Sequence, residues 1–162
     1  MKPTRATPFV IAPARSDVDY ADAARLVRAY AASLPFPLDF QGFEAEVADL
    51  RAAYGPPGGE LLLARLGAAA VGCVGVREWD ADACEVKRLY VTPAERGRGL
   101  GRALARAILD AARALGYRRV RLDTIETMGE AMELYRSLGF EEIPAYYDNP
   151  IPGARYFELT FA

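Results

Sequence analysis

Histidine is missing from this chain of 162 residues. Its absence removes Ser-His-Asp and Cys-His nucleophilic relays and the commonest zinc ligand in one step, so no metal site is expected. Cysteine is scarce, with Cys73 and Cys84 alone. The two fall in neighbouring strand-like runs, where a cross-strand disulfide is conceivable; buried, reduced thiols serving as small apolar residues are the expectation. Neither sign of charge is in excess, because 20 lysines and arginines against 22 acidic residues leave a net charge of −2. A basic face for nucleic acid therefore has no support, and arginines interspersed with acids describe a solvated surface. Long apolar runs are lacking too. After Lys2 and Arg5, the stretch Phe9-Val10-Ile11-Ala12 is cut off by Pro13. That is too short for the core of a signal peptide, and nothing approaches membrane-spanning length. A cytoplasmic protein without nucleic-acid or membrane partners is the expectation.

Hydrophobic residues make up 52%, which argues against disorder, and the length suits one compact domain over residues 1–162. A strand is expected over 9–12, followed by a helix that Ser16 caps and whose first turn Asp19 complements. Ala23, Val27, Tyr30 and Leu34 share one face of that helix, and Leu34-Pro35-Phe36-Pro37 ends it. A second helical run covers about 42–54 and closes in Gly55-Pro56-Pro57-Gly58-Gly59. Strand-like runs follow at 60–66 and 69–78, turned at Gly67, and at 84–91 after Asp80-Ala81-Asp82. Leu100, Leu104, Ile108, Ala111 and Leu115 form a helical stripe, with Gly116 as its C-terminal cap. Residues 119–124 read as a strand, 129–138 as a helix stopped by Gly139, and 140–147 and 156–161 as closing strands. Helices and strands interleave without strict alternation. The pattern describes an α/β (α+β) fold, a mixed central sheet of about six to seven strands flanked by helices.

The densest chemistry lies in Arg96-Gly97-Arg98-Gly99-Leu100-Gly101, between the strand-like Leu89-Tyr90-Val91 and the amphipathic run to Leu115. Glycines let the chain turn tightly and bring several N–H groups to face one point. The helix start adds its own unpaired N–H groups and the positive end of its dipole. Together these make a receptor for a phosphate or pyrophosphate. A dinucleotide fingerprint would need glycine where Arg102 stands, and a P-loop would need Gly-Lys-Ser/Thr, so neither applies. A strand-to-helix turn that binds nothing is the plain alternative.

The pattern Arg-x-x-Gly-x-Gly at Arg96, Gly99 and Gly101, with Val91 and Pro93 upstream, resembles the coenzyme A pyrophosphate loop of the GNAT acyltransferase superfamily. Glu85-Val86-Lys87-Arg88-Leu89-Tyr90-Val91 is similar to that family's central strand, and Ala131-x-x-Leu134-Tyr135-x-x-Leu138-Gly139-Phe140 to its other signature. The likeness runs from roughly Ala69 to Phe161, with a coenzyme-binding core at about 69–140. It implies acetyl-CoA as co-substrate. The implied reaction is acetyl transfer to a primary amine of a small molecule or amino acid, by direct attack in a ternary complex. It further implies that the N–H groups from Gly97 through Gly99, Leu100 and Gly101 to Arg102 hold the pyrophosphate, with Arg96 and Arg98 adding charge-assisted bonds. The main chain of Leu89, Tyr90 and Val91 would pair with the pantetheine arm like an added strand. Tyr135 would give a proton to the departing thiolate. Glu85 stands where some family members carry a general base, with Glu78 as a second candidate. Tyr147 and Asn149, in Tyr146-Tyr147-Asp148-Asn149-Pro150, would meet the acceptor.

Each role has a structural counterpart. Tyr135 shares a helical stripe with Ala131, Leu134 and Leu138, Glu85 and Glu78 could be solvated strand residues, and Tyr147 and Asn149 could only build a turn. The base matters energetically, since freeing an amine of pKa ~10 at pH 7 costs roughly 4 kcal/mol at ~1.36 kcal/mol per unit. A desolvated pocket or a positioned carboxylate must offset it. No cysteine or serine has an evident activating partner, which disfavours a covalent acyl-enzyme. A non-catalytic acyl-CoA-binding regulatory module and a protein N-terminal or lysine acetyltransferase remain as alternatives, and a homodimer is compatible with the sequence.

Overall fold

The computed structural model describes residues 8–38 and 42–162, so Lys2 and Arg5 lie outside the described residues. The chain runs β1 (Phe9–Pro13), α1 (Asp17–Ser33), α2 (Phe43–Ala48), α3 (Leu50–Tyr54), β2 (Glu60–Leu66), β3 (Ala69–Glu78) and β4 (Ala83–Val91). A 3-10 turn at Pro93–Glu95 leads to α4 (Leu100–Ala114), then β5 (Arg119–Ile125), α5 (Gly129–Ser137), β6 (Glu141–Ile143) and β7 (Ala154–Thr160). The strands form one seven-stranded sheet in the order β1-β2-β3-β4-β5-β7-β6. Every neighbouring pair is antiparallel except β4 and β5.

Local chemistry explains most boundaries. Ser16 and Asp19 bond reciprocally at the start of α1 as a capping box. The run expected over 42–54 is two helices, because Asp49 leaves helical geometry (φ −148, ψ 76) and its carboxylate accepts from Ala52 N. A short acidic side chain competing for backbone N–H groups favours a cap over a helix interior. The strand expected over 140–147 is only Glu141–Ile143. Pro144 has no N–H to add to a ladder, and the segment after it leaves the sheet. The α4 stripe buries Leu100, Leu104, Ala105, Ile108 and Ala112, whereas Leu115, the C-cap, is exposed. Gly116 (φ 94) follows it, with Tyr117 N bonded to Ala112 O.

Alternation along the strands assigns the two faces. Cys84 and Val86 of β4 and Val120 and Leu122 of β5 join Leu100, Leu104 and Ile108 of α4 in one apolar core. Leu61, Leu63, Cys73 and Tyr90 face the other way, into a core with Leu26, Val27 and Tyr54. The two cysteines therefore lie on opposite faces, both free and buried. Burial pushes each thiol up to about 12. On the second face, α1 packs over β3 and β4, and over β5 and β7 the residues turn polar. Arg77 stands opposite Glu85, Glu85 opposite Arg121, and Asp123 opposite Tyr156. Among the described residues, no helix is long and apolar enough to cross a membrane.

Candidate active site

β4 and β5 are registered only at Ala83↔Arg119, Cys84↔Val120 and Glu85↔Arg121, although they continue to Val91 and Ile125. Beyond Glu85 no ladder joins them. A cavity opens there, walled by Val86 to Leu89 on one side and Leu122 to Ile125 on the other, with Tyr135 and Asn149 contributing from outside the strands. The β4 main chain thus has a free edge on its β5 side, which is the requirement for pairing with an extended ligand.

A bulge shapes that edge. Cys73 pairs with Tyr90 but Gly75 pairs with Lys87, so β4 carries an extra residue there, and Arg88 takes a left-handed φ of 64. Such a conformation costs a non-glycine residue about 1–2 kcal/mol. The Arg88 side chain offsets it through a buried, two-pronged ion pair with Glu46 on α2, at 2.8 and 2.9 Å. Bulges re-aim a strand and increase its twist, so this one helps part β4 from β5.

At the C-terminal end of β4 the loop residues Gly97 and Gly99 have φ of 82 and 80, and a Cβ at either would meet nothing within 4 Å. Glycine is needed there for conformation, not for packing. Gly99 caps α4 without any side-chain bond, and the first bond of the helix runs from Ala103 N to Gly99 O. The N–H groups of Leu100, Gly101 and Arg102 consequently have no helical partner. Leu100 buries its side chain in the core while Arg102 is exposed. Arg96 is tied rather than free: its Nε donates to Val91 O at 3.0 Å and its guanidinium covers the Tyr90 ring. Arg98 pairs with Glu95 at 3.1 Å and stays half-exposed. Leu89 lines the cavity, Tyr90 packs toward α1, and Val91 rests against the α4 core.

The inner end of the gap is built from side chains. Glu85 is 1% exposed, and its Oε1 accepts from Arg77 at 3.1 and 3.2 Å while Oε2 accepts from the Tyr146 hydroxyl at 2.6 Å. It does not line the cavity. Glu78 is exposed, opposite Cys84 on β3, and does not line it either. Asp123, which no sequence motif marks, is the only carboxylate on the cavity wall among the described residues. Its Oδ1 accepts from Lys87 Nζ at 2.9 Å, and its Oδ2 accepts from the Tyr147 hydroxyl at 2.5 Å and Asn149 Nδ2 at 3.3 Å. Tyr147 and Asn149 therefore converge on one carboxylate, and Asn149 Oδ1 also accepts from Ile151 N at 2.9 Å. Period-two alternation in Arg121-Leu122-Asp123 was the available signal that Asp123 shares a face with Glu85.

Rings hold this corner together. Trp79 meets Tyr146 edge-on at 4.9 Å, and Tyr156 meets Tyr146 at 5.3 Å and Tyr147 at 5.6 Å. Tyr135 packs against Phe140 at 5.7 Å with its ring in the core, yet it reaches the cavity. Burial pushes the Tyr135 hydroxyl above its ordinary value, with the negative charge of Asp123 adding to the effect. It keeps its proton throughout the neutral range and is a hydrogen-bond donor there.

The chain has known relatives in sequence and in fold. A family model described as Acetyltransferase (GNAT) family matches residues 24–140. An uncharacterized N-acetyltransferase of Schizosaccharomyces pombe is 40% identical over 146 residues, which is 89% of this chain and 90% of that protein. The crystal structure of an acetyltransferase from Streptococcus agalactiae matches with a TM-score of 0.78 at 21% identity, covering 94% of this chain and 98% of the other. A GNAT family acetyltransferase from Elizabethkingia anophelis, crystallised with acetyl-CoA bound, matches with a TM-score of 0.63 at 18% identity over 94% and 98% of the two chains. The two crystal structures share the fold.

Proposed function

This chain belongs to the acetyltransferase (GNAT) family, whose members take an acetyl group from acetyl-CoA, and we propose that it delivers that group to a primary amine of a small molecule or amino acid by direct attack in a ternary complex. The observation that carries this reading is the unpaired stretch of β4 beyond Glu85, with an uncapped helix start at one end and Tyr135 and Asp123 at the other. The N–H groups of the Gly97–Arg102 loop receive the pyrophosphate, and the free edge at Leu89 to Val91 takes the pantetheine arm. That places the thioester in the cavity before Tyr135.

The ammonium first gives up a proton; the freed amine nitrogen bonds to the thioester carbon, the C–S bond breaks, and the second nitrogen proton leaves with the thiolate as the coenzyme thiol. Tyr135 donates a hydrogen bond to the departing sulfur. A coenzyme thiol has a pKa near ~8.5 in water, below that of a phenol, so full proton transfer from Tyr135 is uphill there. Within the cavity the thiolate is partly desolvated as well, which narrows the difference. Glu85, locked by Arg77 and Tyr146, is poorly placed to accept the ammonium proton, and Asp123 is the carboxylate that reaches the reacting space.

Direct attack is supported by the thiols, since neither Cys73 nor Cys84 lines the cavity and burial holds both protonated. Mass spectra after mixing with acetyl-CoA alone are expected to show no acetylated protein. The deciding experiment incubates the protein and acetyl-CoA with amino acids, polyamines, aminoglycosides and short peptides, and measures release of coenzyme thiol. Coenzyme heat in calorimetry without thiol release from any amine would favour a sensor over an enzyme.

A further inference from the structure

Lys87 and Asp123 face each other across the first interval where β4 and β5 are no longer paired, and their ion pair of 2.9 Å spans the gap. Lys87 and Lys2 are the chain's two lysines, against eighteen arginines. The Lys87 side chain is 5% exposed and that of Asp123 is 11% exposed, and both line the cavity. Among the described residues, neither group is saturated. An ammonium has three N–H donors, and Lys87 directs one to Asp123, with Glu85 at 3.6 Å as a second, longer partner. A carboxylate offers about four acceptor sites, of which Asp123 fills three with Lys87, Tyr147 and Asn149. One donor and one acceptor stand side by side in the reacting space.

Charge balance narrows what fits them. Among the described residues, the ionic groups at this corner cancel pairwise, buried Arg88 with Glu46, partly exposed Arg77 with Glu85, and Lys87 with Asp123. A guest with net charge would leave an uncompensated charge out of water. A zwitterion would not. From this geometry, and resting on the acetyltransferase reading above, we propose that the acceptor is a zwitterionic α-amino acid with an apolar side chain. Its ammonium is received by Asp123 and its carboxylate by Lys87, the two ends lying adjacent as they do on one α-carbon. Phe36, Leu38, Met128 and Ile151 supply apolar wall for the side chain. The amine is thereby set before the thioester in its charged form; Asp123 takes one proton, which frees the nitrogen lone pair to attack, and the second nitrogen proton leaves with the thiolate as the coenzyme thiol.

Matched pairs of acceptors test this directly. L-Phenylalanine and phenethylamine differ by the carboxylate alone, as do L-leucine and 3-methylbutylamine. The amino acid of each pair should show kcat/KM higher by about tenfold or more, the size of one charge-assisted hydrogen bond. Lys87→Met should erase that preference: the amino acid's rate falls further than the simple amine's, so that the ratio of the two kcat/KM values approaches one. Asp123→Asn should lower both by about tenfold or more. Coenzyme calorimetry on each variant shows whether the fold and the other end of the gap survive, and the wild-type ratio remains a test should Lys87→Met fail to fold. The proposal is overturned if the simple amine is used as well as its amino acid, or if neither is used while other amines release coenzyme thiol. Absence of thiol release from every amine would instead sink the acetyltransferase reading beneath it.

Discussion

The two ends of the β4–β5 gap are made of different material. The end we assign to the coenzyme is main chain: glycines at positive φ, the N–H groups at the start of α4 and the free edge of β4. The end we assign to the acceptor is side chain, and its parts come from four segments: Lys87 on β4, Asp123 on β5, Tyr135 on α5, and Tyr147 and Asn149 in the connection before β7. A backbone site tolerates most substitutions and is sensitive mainly where conformation depends on glycine. A side-chain site fails when one atom is removed, because each group holds another in place.

Substitutions can break or sharpen that contrast. The largest effect is expected from Tyr135→Phe, which removes one oxygen from the acceptor end. Turnover should fall about 10²- to 10⁴-fold, the usual range for a lost general acid, while acetyl-CoA affinity in calorimetry stays unchanged. Retained turnover would move the proton-donor role to another group. Glu46→Ala strikes the frame that serves both ends, since it leaves the Arg88 guanidinium buried without its partner. About 3–5 kcal/mol of stability should be lost in urea unfolding, and an unchanged midpoint would mean that the bulge is held by other contacts.

Gly99→Ala addresses the coenzyme end alone. Holding alanine at φ 80 costs about 1–2 kcal/mol, so coenzyme affinity should drop by about tenfold with the acceptor KM unaltered. An equal change in both constants would show that the ends are not separable. The smallest effect is expected far from either end, where Ser16→Ala removes the α1 cap for about 1 kcal/mol and leaves both constants alone. Its partner Asp19 accepts from the N–H groups of Arg15 and Ser16 and from Arg65, which hold its carboxyl down to about 2. A depressed carboxylate stabilises the fold above its unfolded pKa of about 4. That contribution fades as pH falls toward about 2, so Asp19→Asn should flatten this part of the acid-unfolding curve.

The contrast also explains what could be read in advance. The glycine-rich turn into α4 was legible because its elements are consecutive, and most strands and helices were legible because alternation and capping are near-neighbour effects. Asp49 splitting α2 from α3 and Pro144 ending β6 were misjudged by a few residues, where one side chain outweighed the surrounding pattern. Glu85 was correctly placed on the central strand. What no local pattern could show was Arg77 directly opposite it and Tyr146 arriving from a distant segment, which together occupy its carboxylate. Tyr147 and Asn149 were singled out without any indication that Asp123 was the group they shared.

By itself, the amino-acid order determined the order of the elements, the faces of the strands and the anion-ready start of α4, since these follow from torsional preference and hydrogen bonding between residues close along the chain. Tertiary structure alone decided where β4 parts from β5, which acidic side chain is enclosed and which one reaches the cavity. Those outcomes depend on charges and hydrogen-bond partners that meet only after distant segments have packed, and on the water that packing removes.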